Sequence, residues 1–200
     1  MTADQAAALV AALSLAILSP GPAIIAAIQT AFARGRRHAL PFSLGLATGA
    51  SFWCIVALLG LAVIFQVNPG IYAAMKVFGG LYLLWFGWNL WRGASQPFPD
   101  PATSARRSFW GGVALNLSNP KPALFYAGLI LSLFPDPLTV RLQSAIYALC
   151  LTTELFWYTL VTVLMSTAVM RARYFAAKFW IDRAAGIAMA LLGLLLIVNH

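Results

Sequence analysis

Hydrophobic positions in this chain run in long blocks, not in the alternation of a strand or the half-and-half face of a surface helix. Six apolar stretches, roughly 6–31, 40–65, 71–91, 108–133, 143–170 and 180–198, are separated by short polar runs. A helix crossing a bilayer needs about 20 mainly apolar residues. Each stretch is therefore predicted to be a membrane-spanning helix, and the fold class all-α and polytopic. The first, fourth and fifth stretches are long enough to tilt or to contain a break. Pro41 falls near the start of the second, where a helix tolerates proline.

Two of the stretches are interrupted in the same way. Ser19-Pro20-Gly21-Pro22 lies inside the first, and Ser118-Asn119-Pro120-Lys121-Pro122 inside the fourth. Proline removes a backbone donor and obstructs the carbonyl one turn earlier, so paired prolines should open about a turn. In lipid the freed groups must find protein, water or ligand. A new helix N-terminus inside the membrane also presents free N–H groups and a positive dipole end, which favour an anion. The prolines of the two breaks are 100 residues apart in a chain of 200. Matched breaks in two halves are a pointer to the binding site of a duplicated transporter.

Basic residues order the spans. Arg34, Arg36 and Arg37 follow the first stretch, Arg92, Arg106 and Arg107 the third, and Arg171, Arg173 and Lys178 the fifth. The second and fourth connections hold no firm basic residue beyond Arg141. The positive-inside rule then makes 32–39, 92–107 and 171–179 cytoplasmic loops and puts both termini outside. Trp88, Trp91, Phe109, Trp110, Phe179 and Trp180 flank those loops, as interfacial aromatic rings do. Three spans per half is an odd number, so residues 1–91 and 108–200 are expected as a 3+3 inverted repeat within a single membrane domain, 1–200. Residues 92–107, with Pro97, Pro99, Asp100 and Pro101, form the linker.

Composition narrows the function. The chain is 62% hydrophobic and 9% charged, against about 25% charged in soluble domains. Its net charge of +8 is spread between apolar stretches, so nucleic acid is not an expected partner. Membrane lipids are. Cys54 and Cys150 lie inside apolar stretches without a Cys-x-x-Cys spacing, which argues against a redox relay or thiolate metal site. No nucleophile–base set, phosphate loop or metal cluster is visible, so neither an enzyme nor a cofactor is expected. Gly45 and Gly49 form a GxxxG that lets helices approach closely, more simply within one chain than in a homodimer.

Lys121 and Glu154 are the only charges expected near the middle of a span. A charge at the bilayer centre costs about 2.5–3.5 kcal/mol on insertion scales and marks a pathway. Lys121 sits within the second break beside Asn116 and Asn119. Tyr158, Thr162 and Ser166 follow Glu154 at four-residue steps, giving one polar helix face. One reading has Lys121 or the broken helix ends holding a substrate carboxylate while Glu154 takes an amine or a coupling proton. The other is a buried Lys121–Glu154 pair that only fixes packing. The substrate-binding candidates are Pro20, Gly21, Pro22, Asn116, Asn119, Pro120, Lys121 and Glu154. The first break offers backbone only, so anion recognition is expected to concentrate at the second.

Ser19-Pro20-Gly21-Pro22, Arg34-Gly35-Arg36-Arg37 and Gly45-Leu46-Ala47-Thr48-Gly49 resemble the first half of the LysE/RhtB amino-acid exporters. Asn119-Pro120-Lys121-Pro122-Ala123-Leu124-Phe125 is similar to that family's Asn-Pro-Lys signature. The resemblance spans essentially the whole chain. It implies gradient-driven export of amino acids or related carboxylate-bearing metabolites across the bacterial inner membrane. Two departures stand out. Many members carry Asp or Asn directly after Pro-Gly-Pro, where this chain has Ala23, and many have Pro-Gln-Phe where it has Phe134-Pro135-Asp136-Pro137. Glu154 is not part of the family pattern, and is expected to offset the polar group missing at position 23. The alternatives are a carrier of another solute or cation, or a non-transporting assembly protein. A cation site would want several intramembrane carboxylates, thiols or imidazoles.

Overall fold

Thr2 opens the first helix by a capping box. Its hydroxyl accepts from the Gln5 amide at 3.1 Å, and its own amide donates to Gln5 Oε1 at 2.9 Å. From there the computed structural model, which describes residues 1–19, 21–67, 69–96, 108–134 and 137–198, is helical. Seven helices follow in order: α1 (Ala3–Leu18), α2 (Pro22–Val67), α3 (Pro69–Gly93), α4 (Phe109–Leu117), α5 (Pro120–Leu133), α6 (Val140–Met165) and α7 (Ala168–Val198). No strand occurs among the described residues. Pro20, residues 97–107 of the expected linker, and Pro135 and Asp136 lie outside the described residues.

The helices end where the prolines dictate. A residue before proline is pushed out of the helical region. Ser19 and Asn119, each followed by proline, are extended, at φ/ψ of −68°/128° and −89°/117°. Pro22 and Pro120 then open α2 and α5 at the first helical position, where a missing N–H costs nothing. So both expected breaks are present: α1 and α2 are separated at the first, α4 and α5 at the second.

Two expected loops are instead nearly absorbed into helix. The chain turns within 32–39 through Gly35 alone (φ 70°, ψ 167°), which divides α2 into two limbs, 22–34 and 36–67. A positive φ is where glycine has no Cβ penalty. Pro41 accordingly lies inside the second limb and not in a first turn. Residues 171–179 belong wholly to α7, and the chain reverses earlier, at Ser166 and Thr167. The cause is that charge marks the membrane boundary but does not end a helix. The 171–179 sequence contains no proline or glycine, so nothing in it stops the helix.

Among the described residues, three helical stretches are long and apolar enough to cross a membrane: Pro22–Gly60, Val140–Met165 and Ala168–Val198. Large apolar side chains cover the outside; Phe78, Trp110 and Trp180 are each more than 70% exposed. An apolar shell of this kind is a lipid-facing surface. Inside, Leu9, Leu13, Ile28, Leu46, Leu83, Tyr126 and Met189 form part of one buried cluster.

Glycines set the two closest helix contacts. A Cβ on Gly45 would collide with the Phe109 carbonyl oxygen, and one on Gly112 with that of Phe42. On Gly49 it would lie 2.7 Å from the Val113 oxygen. The Gly45–Gly49 pair therefore packs α2 on α4 within one chain. The α3–α7 contact uses the same device: a Cβ on Gly87 would come 2.6 Å from the Gly186 oxygen, and one on Gly193 2.6 Å from the Gly80 oxygen. Backbones this close give the van der Waals contact that holds helices together in lipid.

Candidate functional site

The two breaks meet. Lys121, the second residue of α5, sends its ammonium across to the C-terminal end of α1 and donates to the carbonyls of Ala16 (3.0 Å) and Ser19 (3.3 Å). A helix C-terminus has unpaired carbonyls and a negative dipole end, so a cation is favourable there. The ammonium also sits 5.2 Å from the centre of the Phe86 ring, a further attraction for a desolvated cation. Gly21 makes the reach possible, because a Cβ on it would lie 3.1 Å from Lys121 Nζ.

Glu154 stands on the opposite wall, 3% exposed. Its Oε1 accepts from the Tyr126 hydroxyl at 2.9 Å, while Oε2 is buried with no partner. Buried carboxylate oxygens are ordinarily satisfied, so an orphan asks for an explanation. Lys121 is hydrogen-bonded to carbonyls and Glu154 to a tyrosine; no direct salt bridge joins the two. Packing by a contact ion pair is therefore not what these charges do in this structure.

Lys121 and Glu154 share a cavity with Ser19, Gly21, Ala23, Ile24, Asn116, Asn119 and Tyr158. It is small, with room for roughly two or three waters. Of the remaining expected residues, Pro22 and Pro120 open their helices beside the cavity without lining it, and Pro20 lies outside the described residues.

The asparagines work inward. Asn116 Nδ2 donates to the Leu46 carbonyl (2.7 Å) and to the Tyr158 hydroxyl (3.3 Å), and its Oδ1 accepts from Asn119 Nδ2 at 3.4 Å. Asn119 Oδ1 caps α5 by accepting from the Lys121 amide at 3.0 Å. With proline at 120 and 122, that cap takes up the remaining early amide of α5. The α2 terminus differs: Ala23 and Ile24 line the cavity, and amides this early in a helix lack intrahelical partners. The first break, expected to offer backbone only, faces the ammonium that the second sends across. The second break sends out a cation, and the first offers the amides.

A second buried charge pair was not expected from the sequence. Lys178 Nζ donates to Asp182 Oδ2 at 2.8 Å and to the carbonyls of Gly93 (2.9 Å) and Ala94 (3.3 Å). Asp182 is 3% exposed and its Oδ1 accepts from Ser19 Oγ at 3.4 Å. The four-residue spacing of an opposite-charge pair was the available signal, but with the span started at 180 both residues fell at its edge. Tyr126 was also missed; nothing local in the sequence ties it to Glu154, 28 positions away. Among the described residues, no three His, Cys, Asp or Glu side chains converge as a metal site.

With this geometry in view, comparison with known proteins is informative. The family model for the LysE type translocator matches residues 14–200. The chain is 37% identical over 194 residues to the threonine efflux protein of Escherichia coli K12, covering 93% of this chain and 94% of that one. It is 38% identical over 195 residues to the threonine efflux protein of Salmonella typhi, with the same coverage. The leucine efflux protein of Enterobacter sp. strain 638 is 24% identical over 185 residues, 90% of this chain and 86% of the relative. No solved structure matches the chain.

Proposed function

The chain belongs to the LysE-type translocator family, a family of transporters and not of enzymes, and from that premise we propose that it exports a small zwitterionic amino acid across the bacterial inner membrane. The observation that carries the reading is the buried, unpartnered Glu154 Oε2 in a cavity that Lys121, Ala23 and Ile24 also line. A zwitterion supplies what that arrangement lacks. Its ammonium would satisfy Glu154. Its carboxylate would meet the Ala23 and Ile24 amides and the third donor of Lys121, two being already engaged.

The relatives named as threonine efflux proteins make threonine the first substrate to test. The cavity is small as it stands, so binding would require its walls to part. In this proposal the walls belong to two inverted halves of three spans, residues 1–91 and 108–200, joined by the 92–107 linker. One half rocks against the other around the breaks. The basic segments face the cytoplasm and both termini face outward. Glu154 stands in for the polar residue absent at Ala23, since both line the same cavity, and takes a proton when no ammonium is bound. Export into medium from cells loaded in turn with threonine, leucine and other amino acids, with and without the protein, tests the reading. Accelerated efflux of at least one amino acid is expected. Unchanged efflux of all of them would contradict it.

A further inference from the structure

The first break is held from a third side. Along one face of α7, Tyr174, Lys178 and Asp182 follow at four-residue steps, all of them buried. The Tyr174 hydroxyl donates to the Leu18 carbonyl at 2.8 Å. Asp182 accepts from Ser19 Oγ, and Lys178 ties Asp182 to the carbonyl end of α3. The end of α1 is thereby held at several points: the Ala16 and Ser19 carbonyls by Lys121, the Leu18 carbonyl by Tyr174, the Ser19 hydroxyl by Asp182.

We infer that Tyr174 and Asp182, with Lys178 orienting Asp182, are positioning residues that latch α7 onto the first break, and that this latch opens once in each transport cycle. Three features converge. The bonds land on Ser19, itself one of Lys121's acceptors, and on Leu18 beside it, so a shift there moves the ammonium and the cavity wall together. They join α7, in the second half of the chain, to the end of α1, in the first, so any motion of one half against the other strains them. And burying an ion pair is a poor way to gain stability compared with apolar packing, which leaves a role in setting one geometry as the reason for its presence. None of the three latch residues lines the cavity, while Ser19, which Asp182 holds, does.

The cyclic consequence rests on the export reading, so the test has two independent readouts on the intact, lipid-reconstituted chain. The first is amide exchange over residues 15–25 without substrate. The second is the KM and turnover of amino-acid export, per folded carrier. Tyr174→Phe deletes one hydroxyl and should fold normally. It should quicken exchange in that segment and shift KM by roughly fivefold to tenfold, the weight of one buried hydrogen bond, with turnover moving less. Asp182→Asn should do the same more strongly, and Asp182→Glu should recover part of the loss. A structural role alone would lower the amount of folded carrier and leave KM in place. Wild-type exchange and wild-type KM in Tyr174→Phe would overturn the latch. Faster exchange in a chain that exports no amino acid would instead overturn the export reading and leave the latch standing.

Discussion

Gly21 and Lys121 constrain one another. The ammonium passes so close to Gly21 that a methyl group there, 3.1 Å from Nζ, makes it give by a few tenths of an ångström, against its bonds to the Ala16 and Ser19 carbonyls. Gly21→Ala is expected to insert and fold yet lose about tenfold in export, the equivalent of one charge-assisted hydrogen bond. Export rate together with elution as a single species in detergent checks this. Glu154→Gln keeps the shape and removes the charge. It should raise KM for a zwitterion by at least about tenfold and flatten the pH dependence of export, as measured by initial rates across pH; unchanged rates and pH profile would remove Glu154 from the site. Lys121 and Glu154 were legible in the sequence because a charge within an apolar stretch has few reasons to exist. Their partners were not. Tyr126, Ala16 and Ser19 reach them from other helices, and pairing across helices leaves no periodicity to read.

At the scale of helices, the paired prolines were the clearest signal, because their geometry acts on the residue before them whatever the surroundings. The glycine contacts were half legible. Gly45 and Gly49 stand out by spacing, whereas Gly80 and Gly87 with Gly186 and Gly193 meet only in the fold. They predict a sharp contrast. Gly112→Val drives a side chain into the Phe42 carbonyl and should cost about 3 kcal/mol or more, read as a lower thermal midpoint and a poor yield of single-species protein. Gly60→Ala has open space around it and should be neutral or stabilise by up to about 1 kcal/mol. The extent of α7 was not legible. A loop is expected at Arg171, Arg173 and Lys178, but with no proline or glycine in 171–179 the helix runs straight through, and Lys178 and Asp182 are buried.

For the whole molecule, the two breaks and α7 form one construction around a small buried cavity. The end of α1 supplies acceptors, α5 a cation, α2 free amides and α6 a carboxylate with an open oxygen. The membrane class could be read from composition alone, since so apolar a chain leaves lipid as its solvent. The meeting of the two breaks could not, because it depends on Lys121 crossing from one to the other. The central claim is that an amino acid crosses the membrane through this cavity. Its most direct measurement is flux of labelled threonine from proteoliposomes holding the purified chain, compared with Lys121→Ala at equal amounts of folded carrier. Gradient-dependent flux is expected in the wild type, with its loss, by at least about tenfold, in the variant. Equal flux from both would contradict it.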